Sequence, residues 1–318
     1  MIKKEELYYD SRDGINKIHA IRWIPESEPK AVLQIVHGMS EYVDRYHDFA
    51  ERMAQKGFVV VGNDHLGHGR SVPEGGIYGY FCENDPATVV VRDVHRLKKL
   101  TQQEYPGLPY FILGHSMGSF IARNYLCKYG TGIDGAIIMS TGMQKKALVS
   151  SARKMVAIQK MIHGSKYVST VLDKAVFGQY NKRLENPKTE SDWLSKDEKK
   201  VEAYIRDSMC GFTFTVNGFQ TLFELIWRLY KQENLNSMPQ ELPVMFVAGA
   251  EDPVGDYFEG VERAVESFKE TGMQDITVKK YEKARHELLN ETEWEQVADD
   301  IYNWISEKLA VLEATDEE

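Results

Sequence analysis

The chain has 318 residues, 42% hydrophobic and 27% charged, enough for one large core or a core with an inserted subdomain. A net charge of −9 excludes a general nucleic-acid binder, which needs a basic face, and gives no overall attraction to anionic membranes. Three cysteines (Cys82, Cys127, Cys210), odd in number and without metal-ligand spacing, suit a reducing compartment better than a disulfide framework, and no apolar run reaches the ~18 residues of a membrane span. The amino-terminal MIKKEELYYD has no apolar segment behind its lysines, so it does not read as a secretory signal, and a cytoplasmic location is expected.

In chain order, AVLQIVHG (31–38) reads as a buried strand and YHDFAERMAQKG (46–57) as the following helix, with Gly57 as its cap. GFVVVGNDH (57–65) is a second strand and runs into the glycine-rich LGHGRS. ATVVVRDVHRLKKLTQQEY (87–105) has helical periodicity and stops at Pro106. LPYFILG (108–114) is the next strand, MGSFIARNYLCKYG (117–130) the next helix, and GAIIMS (135–140) a strand again. This alternation predicts an α/β fold, with a mostly parallel central sheet and helices on both faces. From 143 to 235 no buried-strand run occurs, and the segment reads as a mainly helical insertion. The strand theme resumes at ELPVMFVAGAED (241–252), then a helix at YFEGVERAVESFKETG, the strand DITVKKYE and the helix EWEQVADDIYNWISEKL. The final ATDEE reads as a frayed acidic end. The predicted domains are a core of 1–142 with 236–318, and an insertion of 143–235.

Gly114-His115-Ser116-Met117-Gly118 fits G-x-S-x-G between a predicted strand and a predicted helix, the setting of a nucleophile elbow. The tight turn requires small residues two before and two after the serine. The helix that follows aims N–H groups at the place where an oxyanion would develop. A serine needs a base, and the base an orienting acid, in the chain order serine, acid, histidine. Only His163 and His286 follow Ser116. His163 falls inside the insertion; His286 lies between the last strand and last helix, at the carboxyl end of the sheet where ligands bind in such folds. For the acid, Glu251 and Asp252 directly follow a strand and Asp256 lies close behind; Asp252 is the choice. Two oxyanion donors are expected, the backbone N–H groups of Met117 and of Met39 in the loop after the first core strand.

The stretches HGMSEYVDRYHDFAERMAQKGFVVVGNDHLGHGRS, EYPGLPYFILGHSMGSFIAR, AGAEDP and ARHE resemble the monoacylglycerol lipase and lysophospholipase group of α/β-hydrolases, whose relatives often carry a serine aminopeptidase-like label. The resemblance covers most of the core and is weak across 143–235, where such proteins carry a variable cap, or lid. It implies the α/β-hydrolase fold, the triad Ser116, Asp252 and His286, and oxyanion donors at Met39 and Met117. It also places Glu41 and Arg45 near the alcohol pocket as candidate substrate-binding residues; four apart, they would equally make a helix-surface ion pair. Two departures stand out: Ser119 replaces the usual second glycine after the elbow, and Tyr42 stands where relatives often have histidine.

His65 and His68 are three apart but lack a carboxylate or cysteine partner at metal-ligand spacing, so they read as structural loop residues, with His37 bracing the loop beside Met39. No metal or organic cofactor is expected. The insertion carries Met155, Phe177, Phe212, Phe214, Phe219 and Phe223 among its apolar residues, to pack against the core and to line an acyl channel. The helical stretch Thr221–Tyr230 is amphipathic, chiefly for packing, with transient contact to a lipid surface as a further use. The expected substrate is a small-molecule acyl ester of monoacylglycerol or lysophospholipid type. The alternatives are a serine aminopeptidase using Glu185, Glu190 or Asp192 for a substrate amine, a short-chain carboxylesterase, and a non-catalytic binding protein on the same fold.

Overall fold

The computed structural model describes residues 2–316. Its centre is an eight-stranded sheet in the order β1-β2-β4-β3-β5-β6-β7-β8. The strands are β1 (Lys3–Asp10), β2 (Lys17–Ile24), β3 (Ala31–Val36), β4 (Phe58–Asn63), β5 (Tyr110–His115), β6 (Gly135–Met139), β7 (Val244–Gly249) and β8 (Ile276–Tyr281). β1 pairs antiparallel with β2, and β2 antiparallel with β4; every other pairing is parallel.

The six strands from β3 to β8 coincide with the apolar runs read from the sequence. β1 and β2 do not: β1, at the sheet edge, is mostly exposed and reads KKEELYYD, whereas β2 is buried from Ile18 to Trp23 but its KIHAIRWI is interrupted by His19 and Arg22, which pair with Asp64 and Glu104. The five strands from β3 to β7 are covered on both faces, and alternate residues feed two separate cores. Val32 and Val36 of β3 join the core under α2 (Pro86–Glu104), α3 (Met117–Tyr129) and α9 (Glu259–Lys269). Leu33 and Ile35 join the opposite core under α1 (His47–Gln55) and α10 (Trp294–Asp316). Helix α10 runs past the predicted end through Ala314 to Asp316, so the expected fraying does not begin there; Glu317 and Glu318 lie outside the described residues.

Between β6 and β7 come five helices: α4 (Lys146–His163), α5 (Thr170–Phe177), α6 (Glu198–Arg206), α7 (Val216–Arg228) and the short α8 (Gln232–Leu235). α7 buries Phe219, Leu222, Leu225 and Ile226 in the core that also holds α2 and α3. α4 packs along α7.

The β5–α3 turn is fixed by close approach. A Cβ on Gly118 would lie 1.9 Å from the Val36 carbonyl oxygen, and one on Gly114 would lie 2.4 Å from the Gly118 carbonyl oxygen. The departure at Ser119 fits within this packing: its buried hydroxyl donates to the Ser116 carbonyl at 2.6 Å and lies 2.7 Å from the Thr141 hydroxyl. Alanine outranks glycine in helix propensity by about 1 kcal/mol, so propensity alone would make Gly118→Ala stabilising. The clash reverses that sign: the variant is expected to lose about 3 kcal/mol in urea unfolding, and a stability equal to wild type would refute the close-packing account.

Candidate active site

Ser116 sits between the end of β5 and the start of α3 with φ 52° and ψ −120°, a left-handed conformation that costs a serine on the order of 1–3 kcal/mol. The surrounding packing holds this strain, and the half-buried side chain faces a cavity of about 840 Å³. Met117 is the first residue of α3, where a backbone N–H has no partner within the helix. Met39, in the loop after β3, lines the same cavity beside Ser116 and Met117.

His286 lies in the loop after β8 and is buried against the cavity wall. Its Nδ1 is 2.9 Å from both carboxylate oxygens of Asp252, which is fully buried after β7 and accepts a further bond from the Val254 N–H at 2.8 Å. The other carboxylates near β7 point elsewhere: Asp256 pairs with Arg263 at 2.8 Å, and the exposed Glu251 approaches Arg285 at 3.9 Å. His163 ends α4, stacked on Tyr167 with ring centroids 4.3 Å apart. The structure thus brings Ser116, Met39, Met117 and His286 to one cavity and ties Asp252 to His286.

Glu41 and Arg45 do not form a surface pair. Glu41 is 3% exposed, and the Arg45 side chain, 10% exposed, lies between two carboxylates. One Arg45 nitrogen lies 2.7 Å from Glu41, and its guanidinium forks onto both oxygens of Glu287 at 2.7 Å. Glu41 also accepts the Gly38 N–H at 2.6 Å and the Tyr46 hydroxyl at 2.8 Å. Glu41 lines the cavity, whereas Arg45 stands behind its wall. Burial alone would raise the Glu41 pKa, but the His115 hydrogen bond and the Arg45 charge hold it well below the usual carboxylate range. Tyr42, the other departure, donates to Asp207 at 2.7 Å.

Behind the Met39 loop, His37, His65 and His68 cluster at tilted and edge-on angles, with His37 and His65 centroids 4.0 Å apart. His37 Nε2 accepts the His65 N–H at 3.0 Å, and its Nδ1 donates to the Gly38 carbonyl at 2.8 Å. Burial pushes the pKa of His37 down to about 4 and that of His68 to about 3, so both are neutral braces at pH 7.

Two further contributors carried no sequence signal. Residues 192–196 of the insertion dock on the His286 loop: Glu287 N–H donates to the Leu194 carbonyl at 2.7 Å, and Arg285 donates to the carbonyls of Asp192 at 2.7 Å and Ser195 at 3.0 Å. The Trp193 ring lies 5.0 Å from that of His286. Ser140, after β6, donates to the His286 carbonyl at 2.6 Å. These are long-range pairings that spacing along the chain does not announce.

A sheet ending in a strained serine turn, with a histidine–aspartate pair delivered by later loops, defines an α/β-hydrolase. The chain belongs to the Hydrolase_4 family, described as serine aminopeptidase, S33, whose profile matches residues 27–293. It is 28% identical to the monoglyceride lipase of Rattus norvegicus over 296 residues, 92% of this chain and 88% of that one. It is also 28% identical to the monoacylglycerol lipase of Mycolicibacterium smegmatis, over 92% of this chain and 93% of that one. Among solved structures, a thermostable carboxyl esterase from Bacillus coagulans in complex with glycerol superposes with a TM-score of 0.90 at 29% identity, covering 97% of this chain and all of the other. Family and relatives make this chain an ester hydrolase.

Removing Arg45 would leave the buried Glu287 without its cationic partner and take one of the cations from Glu41, so Arg45→Met is expected to cost about 3–5 kcal/mol in urea unfolding. A loss below about 1 kcal/mol, the value of an exposed pair, would show that the pair is solvated.

Proposed function

We propose that the chain hydrolyses carboxylic esters of lipid-like substrates, of monoacylglycerol or lysophospholipid type, through Ser116, His286 and Asp252 and an acyl-enzyme. The observation that carries this reading is the strained Ser116 facing a cavity whose wall also holds His286, itself anchored to buried Asp252. In the proposed reaction His286 Nε2 takes the Ser116 hydroxyl proton as Oγ attacks the ester carbonyl carbon. Asp252 holds the Nδ1 proton and stabilises the imidazolium. The N–H groups of Met39 and Met117 receive the oxyanion, each such donor being worth ~3 kcal/mol. The leaving alcohol departs with the proton from His286. Water, deprotonated by His286, then attacks the acyl carbon and frees both the fatty acid and Ser116. These steps call for no metal or organic cofactor.

The acyl chain is assigned to the apolar side of the cavity, where Phe120, Val149, Phe212, Leu222, Phe223 and Ile226 form the wall. A volume of about 840 Å³ suits a medium or long chain better than an acetyl group. In this reading residues 143–235 are a cap that roofs the cavity. The cytoplasmic location expected from the sequence belongs to the same reading; no helix among the described residues is long and apolar enough to cross a membrane.

A second reading, cleavage next to a substrate amine, draws on Asp173 and Glu190, both on the cavity wall. Its other candidates face away: Asp192 caps a turn through the Lys188 N–H at 2.6 Å, and Glu185 is exposed. Ser116→Ala is expected to abolish both ester cleavage and labelling by a fluorophosphonate. Wild type should cleave esters of long acyl chains faster than acetyl esters and far faster than amino-acid amides. Faster amide cleavage would replace the lipase reading by the peptidase one, and an unlabelled Ser116 would leave a binding protein.

For lipid contact α4 is the better candidate than α7. The apolar face of α7 is buried, whereas Leu148, Ile158, Met161 and Ile162 of α4 are 52–81% exposed. Residues 143–172 carry Lys145, Lys146, Arg153, Lys154, Lys160 and Lys166 and no carboxylate, in a chain of net charge −9. That pairing of apolar and basic residues suits an anionic lipid surface. Co-sedimentation with vesicles containing phosphatidylserine is expected, weakened severalfold by Ile158→Ser with Met161→Ser; equal binding by the double variant would rule α4 out.

A further inference from the structure

We propose that His115 is a buried imidazolium and a positioning residue: protonated on both nitrogens, it bridges Glu41 of the Met39 loop to the His286 carbonyl and so holds in register the two loops that flank Ser116. The role in turnover rests on the triad reading above; the protonation state does not.

Proton counting leads to this state. His115 Nε2 faces the carbonyl oxygen of His286 at 3.3 Å, and a carbonyl only accepts, so Nε2 carries a proton. His115 Nδ1 lies 2.8 Å from the Tyr46 hydroxyl and 3.1 Å from Glu41 Oε1. The Tyr46 hydroxyl, in turn, is 2.8 Å from the same carboxylate oxygen. A hydroxyl has one proton. Were it given to His115, tyrosine and carboxylate oxygens would face each other at 2.8 Å with nothing between them. With Tyr46 donating instead to the Glu41 carboxylate, the contact from Nδ1 needs a proton of its own. The second arrangement satisfies every contact, and in it imidazole is imidazolium.

Charge counting gives the same answer. The groups facing the ring are Glu41 and Tyr46 from the segment after β3, and Glu287 and His286 from the loop after β8; Arg45 and His37, just after β3, act on Glu41. His37, with its pKa near 4, is neutral at pH 7. Two buried carboxylates and one guanidinium leave a net charge of −1, which a second cation cancels; an unbalanced charge in a buried cluster is costly. Burial alone would lower the His115 pKa, but the hydrogen bond and charge of Glu41, with Glu287 behind, leave it raised above the ordinary 6.5. The bridge is therefore complete at pH below that raised value and is lost as pH rises through it, when Nδ1 loses its proton and Glu41 its donor.

The position explains why this matters for Ser116. His115 precedes it directly, and the rings of His115 and His286 lie 4.9 Å apart. Gly38, next to Met39 in the loop after β3, lies so close that a Cβ there would meet Glu41 Oε1 at 2.6 Å and the Ser116 Cβ at 3.2 Å. A shift of Glu41 therefore moves the Met39 amide relative to Ser116.

The test is nitrogen NMR of the full-length protein labelled in histidine, with the His115 signals assigned by their loss in His115→Gln. At pH 7 both His115 nitrogens should be protonated, and in Glu41→Gln, which removes one negative charge, one nitrogen should lose its proton. An unprotonated nitrogen in wild type at pH 7, or an unchanged state in Glu41→Gln, overturns the proposal. In kinetics on an acyl ester, His115→Gln should lower kcat about tenfold, the effect of one hydrogen bond to a charged group, and leave KM within twofold. It should also remove the alkaline decline of kcat that wild type shows as His115 deprotonates; a decline that persists in the variant excludes His115 as its source. Inactivity of wild type towards every ester would count against the triad reading, while the spectra still decide the protonation state.

Discussion

The guanidinium of Arg45, forked between Glu41 and Glu287, is the contact on which the site geometry depends. Glu41 fixes the loop after β3 through the Gly38 N–H, and Glu287 directly follows His286 in the loop after β8. Those loops come from opposite sides of β5, the strand that carries Ser116. Backbone hydrogen bonds within the sheet reach neither loop tip, so the side chains of a buried ionic cluster set their separation. Desolvating such charges is expensive, and the expense is offset here by bidentate geometry and full hydrogen bonding.

The strained serine is the second constraint. Its φ of 52° is held because Gly114 and Gly118 let α3 approach the carbonyl ends of β3 and β5 at distances no side chain allows. Ser119 adds a hydrogen bond to the Ser116 carbonyl, so the departure from glycine tightens the turn instead of loosening it. Strain at Ser116 and charge in the flanking loops thus act on one place: the turn faces the Ser116 side chain to the cavity, and the ionic cluster ties together the loops that carry Met39 and His286.

The limits of the sequence reading follow from range. G-x-S-x-G, the strand–helix alternation and the histidine after the last strand are local patterns with local causes, and they were legible. β1 and β2 were not: β1 is an exposed edge strand, and the buried β2 carries His19 and Arg22, whose partners Asp64 and Glu104 are distant in the chain. Glu41 and Arg45 were visible as a pair four apart, but Glu287, which makes them a buried triad, is 242 residues from Arg45. The helices of 143–235 were legible as helices. Which face each buries was not: α7 turned its apolar face inward, while α4 left much of its own in solvent.

The sequence by itself determined the class of fold, the place of the strained serine and the order in which acid and histidine follow it. Those features rest on residue type and spacing within a turn or an element. Only the tertiary structure decided that Asp252, among three nearby carboxylates, meets His286, and that Arg45 is a buried clamp. It also set His115 between Glu41 and the His286 carbonyl. Such choices depend on which loops the sheet brings together at its carboxyl edge, and that proximity is written in packing rather than in any stretch of chain.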